Sequence, residues 1–520
     1  MKSVIRIACV PVLLLAVAAC SNMSSLRSDA DARGDGKRYD QPDAAAAYWA
    51  GLHESDSGKT AAQLNFEAMQ VIEAREAQAP SSAPLPNVRI ESYGPGNFGG
   101  RLRGLVIRPS NSSHMLVGSV SGGIWKSTNG GSSWAPVTDF LQSLAVGSML
   151  VDPDSDARVF VGTGEGFFNI DAAQGLGVFM SSDFGDSWMQ LPGTNNSSFL
   201  YVNRIARIPG TTKLLVATRS GIWGTDDFTQ PVPVWTDRTT GVTESSRGFV
   251  DLKLDPSVAT PGAHRLYAVH YGSAAATRRV YLSNDDGVSF TELNATQGLP
   301  TDADIGRIEL GLGSDGVVYA AIASSTSTTR GLWRSPAGGA AFVKTASNTA
   351  FIERQGWYDL IMGVKPGDSA MVFAGAVDMY KSSDSGAVIT KKTFWNPGVG
   401  QFPNSYVHAD LHVVAFDPNN ASTVFIGCDG GLFKSTDNGE TWNSLNNDLR
   451  VAQYYGIAAH PNGRGVIGGT QDNGSHLFFG DRALWLEWAG GDGGYSAWDQ
   501  QQPNYIYGAT PEGGLFGSAN

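Results

Sequence analysis

The chain has 520 residues, a formal net charge of −12, 64 glycines and three cysteines. Charged residues are only 17% and aromatics 10%, a mixture too apolar for a disordered chain and too polar for a bundle of membrane spans. An acidic balance without a Lys/Arg stripe excludes nucleic acid as a partner, and the abundant glycine suits short strands joined by tight turns.

In chain order, Lys2 and Arg6 precede an apolar run from Val10 to Ala18, followed by Ala19 and Cys20. That run is too short to cross about 30 Å of hydrocarbon; a basic start, a short apolar core and small residues describe a secretory signal over residues 1–19. Small residues followed at once by Cys20 resemble a bacterial lipobox. The resemblance implies cleavage before Cys20, lipidation of its thiol and, with Ser21 next, an outer-membrane destination. Residues 20–43 are polar and read as a tether. Residues 44–87 have helix-forming composition up to Ala77, interrupted near Ser55 to Gly58, before Pro80, Pro84 and Pro86 end helical structure. With Cys9 in the signal and Cys20 lipidated, Cys428 has no internal disulfide partner and is expected to be a small buried residue of an apolar strand.

From Val88 to Asn520 one unit recurs: an apolar strand, a second strand, a glycine turn, a third strand, then a polar turn before an aromatic. The turn reads Ser127-Thr-Asn-Gly-Gly-Ser-Ser-Trp134, Ser181-Ser-Asp-Phe-Gly-Asp-Ser-Trp188, Ser283-Asn-Asp-Asp-Gly-Val-Ser-Phe290 and Ser435-Thr-Asp-Asn-Gly-Glu-Thr-Trp442. Weaker copies stand at Ser335–Phe342, Ser382–Gly386 and near Asp226. A period of roughly 50 residues with four strands per unit predicts an all-β, multi-bladed propeller of four-stranded antiparallel blades, preceded by a short helical segment. Counting units gives about eight to nine blades over 88–520, the last incomplete or closed by an N-terminal strand.

This turn is the Asp-box, or bacterial neuraminidase repeat. With Gly94–Arg101, Gly118–Ser127, Gly162–Asn169, His408–His412, Asp429–Ser435 and Gly469–Gly474, the stretch from about Asn87 to Asn520 resembles exported bacterial propellers of the sialidase-like and sortilin-like kind. The resemblance implies a propeller in which Asn129, Asp183, Asp285, Asp384 and Asp437 are scaffold. A sialidase would use an arginine clamp with one arginine in an Arg-Ile-Pro phrase before the first box; Arg207-Ile-Pro209 follows two boxes and reads as a blade turn. A xyloglucanase would require an Asp in the first-blade phrase where Val120 stands, in Val120-Ser-Gly-Gly123. The comparison with sortilin-type receptors rests on the propeller alone.

In a four-stranded blade, the turn between second and third strands shares a face with the start of the inner strand, opposite the Asp-boxes. Glu165, Arg219, Asp378, Asp429, Gln471 and Asp472 map to such turns. Arg101, Arg204, Arg247, Arg307, Trp357, His408, Asp410, Gln453 and Tyr454 map near inner-strand starts. Glu165, Asp429 and Asp472 are thus the candidate catalytic carboxylates, and Arg101, Arg204, Arg247, Arg307, His408, Asp410 and Gln471 the candidate binding residues. On a continuous strand His408, Asp410 and His412 would share a face, neighbours about 6.8 Å apart, so two of them could chelate one metal but not all three. No cofactor is expected. The main reading is a lipid-anchored, non-catalytic scaffold binding a glycan or polypeptide; the alternative is a glycoside hydrolase, sialidase-like or xyloglucanase-like, using carboxylates of this face. A carboxylate pair in an open cleft, ~5–5.5 Å or ~6.5–9.5 Å apart, separates them.

Overall fold

The computed structural model describes residues 92–519 except 139–140, 168–171, 240–241, 243–247, 273, 337, 397–403, 481–483 and 512, together with Lys59 and part of 64–75. Cys20 and Arg247 lie outside the described residues. Those described between 64 and 75 are helical. No helix among the described residues is long and apolar enough to cross a membrane.

The rest is all-β: eight antiparallel four-stranded sheets and one three-stranded sheet, each built from strands consecutive in sequence. Sheets 1 to 7 span residues 102–136, 146–190, 202–237, 249–292, 308–344, 361–391 and 411–444; sheets 8 and 9 span 454–489 and 496–518. Inner strands such as Leu102–Ile107 are buried on both faces, so they read as unbroken apolar runs rather than alternating ones. The outermost strands are two-residue ladders such as Ala135–Pro136, short enough to blunt the sheet edge.

Apolar side chains from neighbouring sheets interdigitate between them. Val106 and Leu116 of sheet 1 meet Val146 and Val161 of sheet 2, and equivalent clusters join sheets 2 to 7 in order. A further cluster packs Leu102, Leu105 and Val117 of sheet 1 against Phe425 and Leu432 of sheet 7, and the inner strands Leu102–Ile107 and Leu411–Asp417 touch. Sheets 1 to 7 therefore close a ring by themselves, where the sequence count put eight to nine blades. Sheets 8 and 9 share a separate small cluster, Ile467 with Trp498 and Ile506. The period counted units correctly, but closure is set by contacts between residues some 300 positions apart, which no local pattern encodes.

The repeated polar turn is a hydrogen-bonded knot. Ser181 Oγ donates to Asp183 Oδ1 (2.7 Å) and accepts from the Gly185 N–H (2.7 Å), while the Ser187 N–H donates to Asp183 Oδ1 (2.9 Å). The same pattern recurs at Asp285, Asp384 and Asp437, and with asparagine at Asn129. Each knot forces positive φ on two successive residues, for example 54° at Phe184 and 90° at Gly185, and glycine adopts the second at no steric cost. The following aromatic packs onto the preceding blade: Trp442, 2% exposed, lies against Ile361, Phe373 and Met379 of sheet 6, and the Trp134 indole N–H donates to the Leu445 carbonyl across the closing seam (2.8 Å). Cys428 is a buried free thiol.

Candidate functional site

At the ring mouth, opposite these turns, the starts of inner strands and the second-to-third-strand turns deliver charged groups to one place. Arg101 precedes the inner strand of sheet 1, and its buried guanidinium reaches three carboxylates: Glu165 at 3.3 Å, Asp429 at 3.4 Å and Asp472 at 3.4 Å. Glu165 is also held by Arg103 Nε at 2.8 Å. Asp429 accepts from the Tyr358 hydroxyl (2.8 Å) and from His412 Nε2 (2.6 Å). Both Glu165 and Asp429 are 1% exposed. They are ion-paired floor residues, and the more open carboxylates at the mouth are Asp410 and Asp472.

Asp472 comes from sheet 8, outside the ring. The Asn473 side-chain amide donates to the Asp429 carbonyl (2.9 Å), His408 Nε2 meets the Asp472 carbonyl (3.0 Å), and the Gln471 N–H donates to the Gln453 carbonyl (3.0 Å). The turn 471–473 is thereby seated on the mouth of the seven-sheet ring. His408 fits only because Gly430 lies beneath it: a Cβ there would stand 2.2 Å from the His408 ring.

The electrostatics sort these acids. Burial raises Asp429, but the charge of Arg101 and the His412 contact outweigh it and keep Asp429 well below the usual carboxylate range. Burial and the neighbouring Asp429 charge push Asp472 well above that range. Asp359, fully buried and facing Asp410, is pushed well up by burial and by the Asp410 charge. Burial, reinforced by Arg103, lowers His412 to about 4. A neutral His412 donates through Nε2 to Asp429 and leaves Nδ1 as a bare acceptor, which matches the lack of a hydrogen-bond partner at that atom.

Deeper in the channel, Arg204 pairs with Glu309 (3.0 Å) and Asp251 (3.4 Å), and Arg307 with Glu309 (3.0 Å). The guanidiniums of Arg103, Arg204 and Arg307 all lie over the Phe167 ring, at 4.6, 5.7 and 4.2 Å. Burial raises Glu309, but Arg204, Lys253 and Arg307 bring it down to about 2. This layer is a closed charge network, and Arg204 and Arg307 serve it.

The three residues that sequence offered as candidate metal ligands do not come together. The strand begins only at Leu411, and Asp410 has φ 66°, so the alternation assumed for His408, Asp410 and His412 is broken. Both His408 nitrogens face carbonyl oxygens, of Ala409 and Asp472, while His412 turns to Asp429. The groups that converge are Asp410, Asp429 and Asp472, each with an oxygen within 4.8 Å of the others. Arg101 already supplies a cation to two of these three. Sequence reasoning missed Tyr358, Asp359, Arg103, Asp251 and Glu309; the available signal was a charged or Tyr-Asp step at, or just ahead of, an otherwise apolar inner strand.

No family model matches the chain. Over 246 residues, 40% of the chain, it is 28% identical to a xyloglucanase of Hypocrea jecorina, and over 240 residues 26% identical to a xyloglucanase of Acetivibrio thermocellus. The matched stretches are 27% and 28% of those proteins, so the chain spans little more than a quarter of the curated relatives it matches. Among solved structures, the GH74 xyloglucanase from Xanthomonas campestris aligns with a TM-score of 0.56 at 17% identity, covering 83% of this chain and 73% of that one. A GH74 enzyme of Niastella koreensis aligns at 0.54 and 18% identity, covering 82% and 72%. These likenesses establish the propeller fold. The sialidase-like refinement is not what these relatives carry.

Proposed function

We propose that the ring mouth is the active site of a glycoside hydrolase acting on a polysaccharide of the xyloglucan type. The observation that carries this reading is the convergence of Asp410, Asp429 and Asp472 at the mouth, each with an oxygen within 4.8 Å of the others, in surroundings that push Asp472 towards its protonated form and hold Asp429 ionised. Such a split assigns an acid and an anion in one site. Asp472, with a side chain 21% exposed, donates a proton to the glycosidic oxygen. As the glycosidic C–O bond breaks, Asp429, fixed by Arg101, Tyr358 and His412, stabilises the positive charge developing at the anomeric carbon, and water adds to that carbon with its proton passing to the more open Asp410. The similarity to xyloglucanases supports the substrate class. Under this reading the segment 1–19 exports the protein, Cys20 tethers it to the cell envelope, 20–43 is the tether and 44–87 the helical linker.

Two observations favour a second reading, a glycan-binding mouth without turnover. Val120, 3% exposed, fills the place where the xyloglucanase resemblance requires an aspartate. Asp429, the ionised member of the cluster, is 1% exposed and already engaged by Arg101, Tyr358 and His412.

The test is release of reducing ends from xyloglucan, mixed-linkage glucan and cellulose by the purified protein, alongside binding to the same polymers. New reducing ends establish the hydrolase; binding without release establishes the second reading; neither rejects both. A proton held by Asp472 also predicts a rate that falls on the alkaline side as that acid loses its proton.

A further inference from the structure

We propose that Asp410, Asp429 and Asp472, backed by Asp359, bind one calcium ion that fastens sheet 8 to the mouth of the ring. The site stands on its own residues. Its consequence rests on the hydrolase reading: calcium and turnover exclude each other, because the ion takes the oxygens that carry the acid and the base.

The three outer acids each place an oxygen within 4.8 Å of the others. Two oxygens that share one calcium ion, each ~2.3–2.6 Å from it, stand at most about 5 Å apart. The acids therefore reach a common calcium ion as they are placed. Magnesium, with bonds of ~2.0–2.1 Å, would require them within about 4.2 Å. An all-oxygen donor set suits such a hard cation, and the nearby histidines are engaged elsewhere: His408 faces carbonyl oxygens and His412 faces Asp429. Arg101 meets Asp429 and Asp472 at 3.4 Å, longer than the ~2.7–2.9 Å of a full charge-assisted hydrogen bond, which leaves both carboxyl groups with lone pairs for an ion.

Asp359 points to the same place independently. It is 0% exposed, and no hydrogen-bond donor reaches either of its oxygens. Its carboxyl group faces Asp410, with Asp429 beyond. A buried carboxyl group without a donor is costly, and a cation held between Asp359 and Asp410 removes that cost.

The acids arrive from three sheets. Asp359 precedes the inner strand of sheet 6, Asp410 and Asp429 belong to sheet 7, and Asp472 stands in a turn of sheet 8. Sheets 8 and 9 share only the small cluster of Ile467, Trp498 and Ile506. An ion at the mouth thus ties the least packed part of the molecule to the ring, and only the folded arrangement offers all its ligands, so binding stabilises that arrangement.

Calorimetric titration of the EGTA-treated full chain with calcium chloride tests the site. Wild type should bind one ion, magnesium more weakly, and hydrogen exchange of turn 471–473 should slow in calcium. Asp410→Asn and Asp359→Asn should weaken calcium by about tenfold or more, while the opposite-face control Asp183→Asn should not. A readout that needs no variant is terbium(III) emission, sensitised through Tyr358, whose hydroxyl donates to Asp429 (2.8 Å), and displaced by calcium. Wild type that binds no calcium up to about 10 mM, equal binding by wild type and Asp410→Asn, or terbium emission that calcium leaves unchanged overturns the site. Release of reducing ends from xyloglucan by the same preparations should fall about tenfold between EGTA and saturating calcium; an equal or higher rate in calcium overturns the exclusion. No release in either condition overturns the hydrolase reading, and the titration alone then decides the ion site.

Discussion

Arg101 holds the mouth together as a residue: one buried guanidinium faces Glu165, Asp429 and Asp472. Removing one partner of a buried ion cluster strands the remaining charges, which costs about 3–5 kcal/mol. Arg101→Met should therefore destabilise the fold by that amount in denaturant melts, far more than replacement of a surface arginine. His412 gives a pH signature. Its folded value of about 4 lies below the ~6.5 of an unfolded histidine, so the unfolded chain binds the proton first as pH falls. The stability that a neutral His412 contributes is complete above pH ~6.5 and is lost progressively down to about 4. His476, lowered to about 4 by burial, acts in the same direction. Asp472 and Asp359, both pushed up, act in the opposite direction over this window, so His412 is read from a comparison. In thermal melts the stability of wild type relative to His412→Gln should rise between pH 4 and about 6.5, and a constant difference contradicts the buried, neutral assignment. Much of this site was legible one residue at a time, because Glu165, Asp429 and Asp472 occupy equivalent slots in a repeat. Tyr358 and Asp359 were not, since their roles depend on reaching across the channel to Asp429 and Asp410.

At the scale of the element, the polar turn is the most legible feature of the chain because each of its side-chain hydrogen bonds joins residues at most four apart. Burial raises Asp437, but hydrogen bonds from Thr441 and Ser435 outweigh it and hold it at about 2. Asp183 is held at about 2 likewise, burial being outweighed by Ser187 and Ser181. Their contribution to stability is present above pH ~3.9 and lost as pH falls toward 2. Asp437→Ala removes the acceptor of four turn hydrogen bonds at an edge that water can reach, and should cost about 1–2 kcal/mol, against about 3–5 kcal/mol for Trp442→Ala, because the indole fills the seam with sheet 6. Urea melts rank the two, and a neutral Trp442→Ala contradicts the seam. The segment His408–His412 shows the opposite case. Its pattern reads as a strand, but Asp410 in the left-handed region breaks the alternation, a backbone feature that residue spacing does not reveal.

At the scale of the whole molecule, seven sheets close on themselves and sheet 8 lends an acid to their mouth. Closure predicts cooperative opening of sheets 1 to 7 in hydrogen exchange, with sheet 9 exchanging first, since Tyr507 and Leu515 stand 46% and 84% exposed. Independent exchange of sheets 1 and 7 would contradict closure. The period and the fold class were readable from sequence; the ring number and the seat of turn 471–473 were not, because both arise from packing between distant segments. We propose above that this composite mouth hydrolyses a glycan with Asp472 as proton donor. It is tested most directly by reducing-end release from xyloglucan, comparing wild type, Asp472→Asn and the opposite-face control Asp183→Asn. Wild type and Asp183→Asn should be active, and Asp472→Asn should lose about 100-fold or more with polysaccharide binding retained. Equal rates in wild type and Asp472→Asn would contradict it.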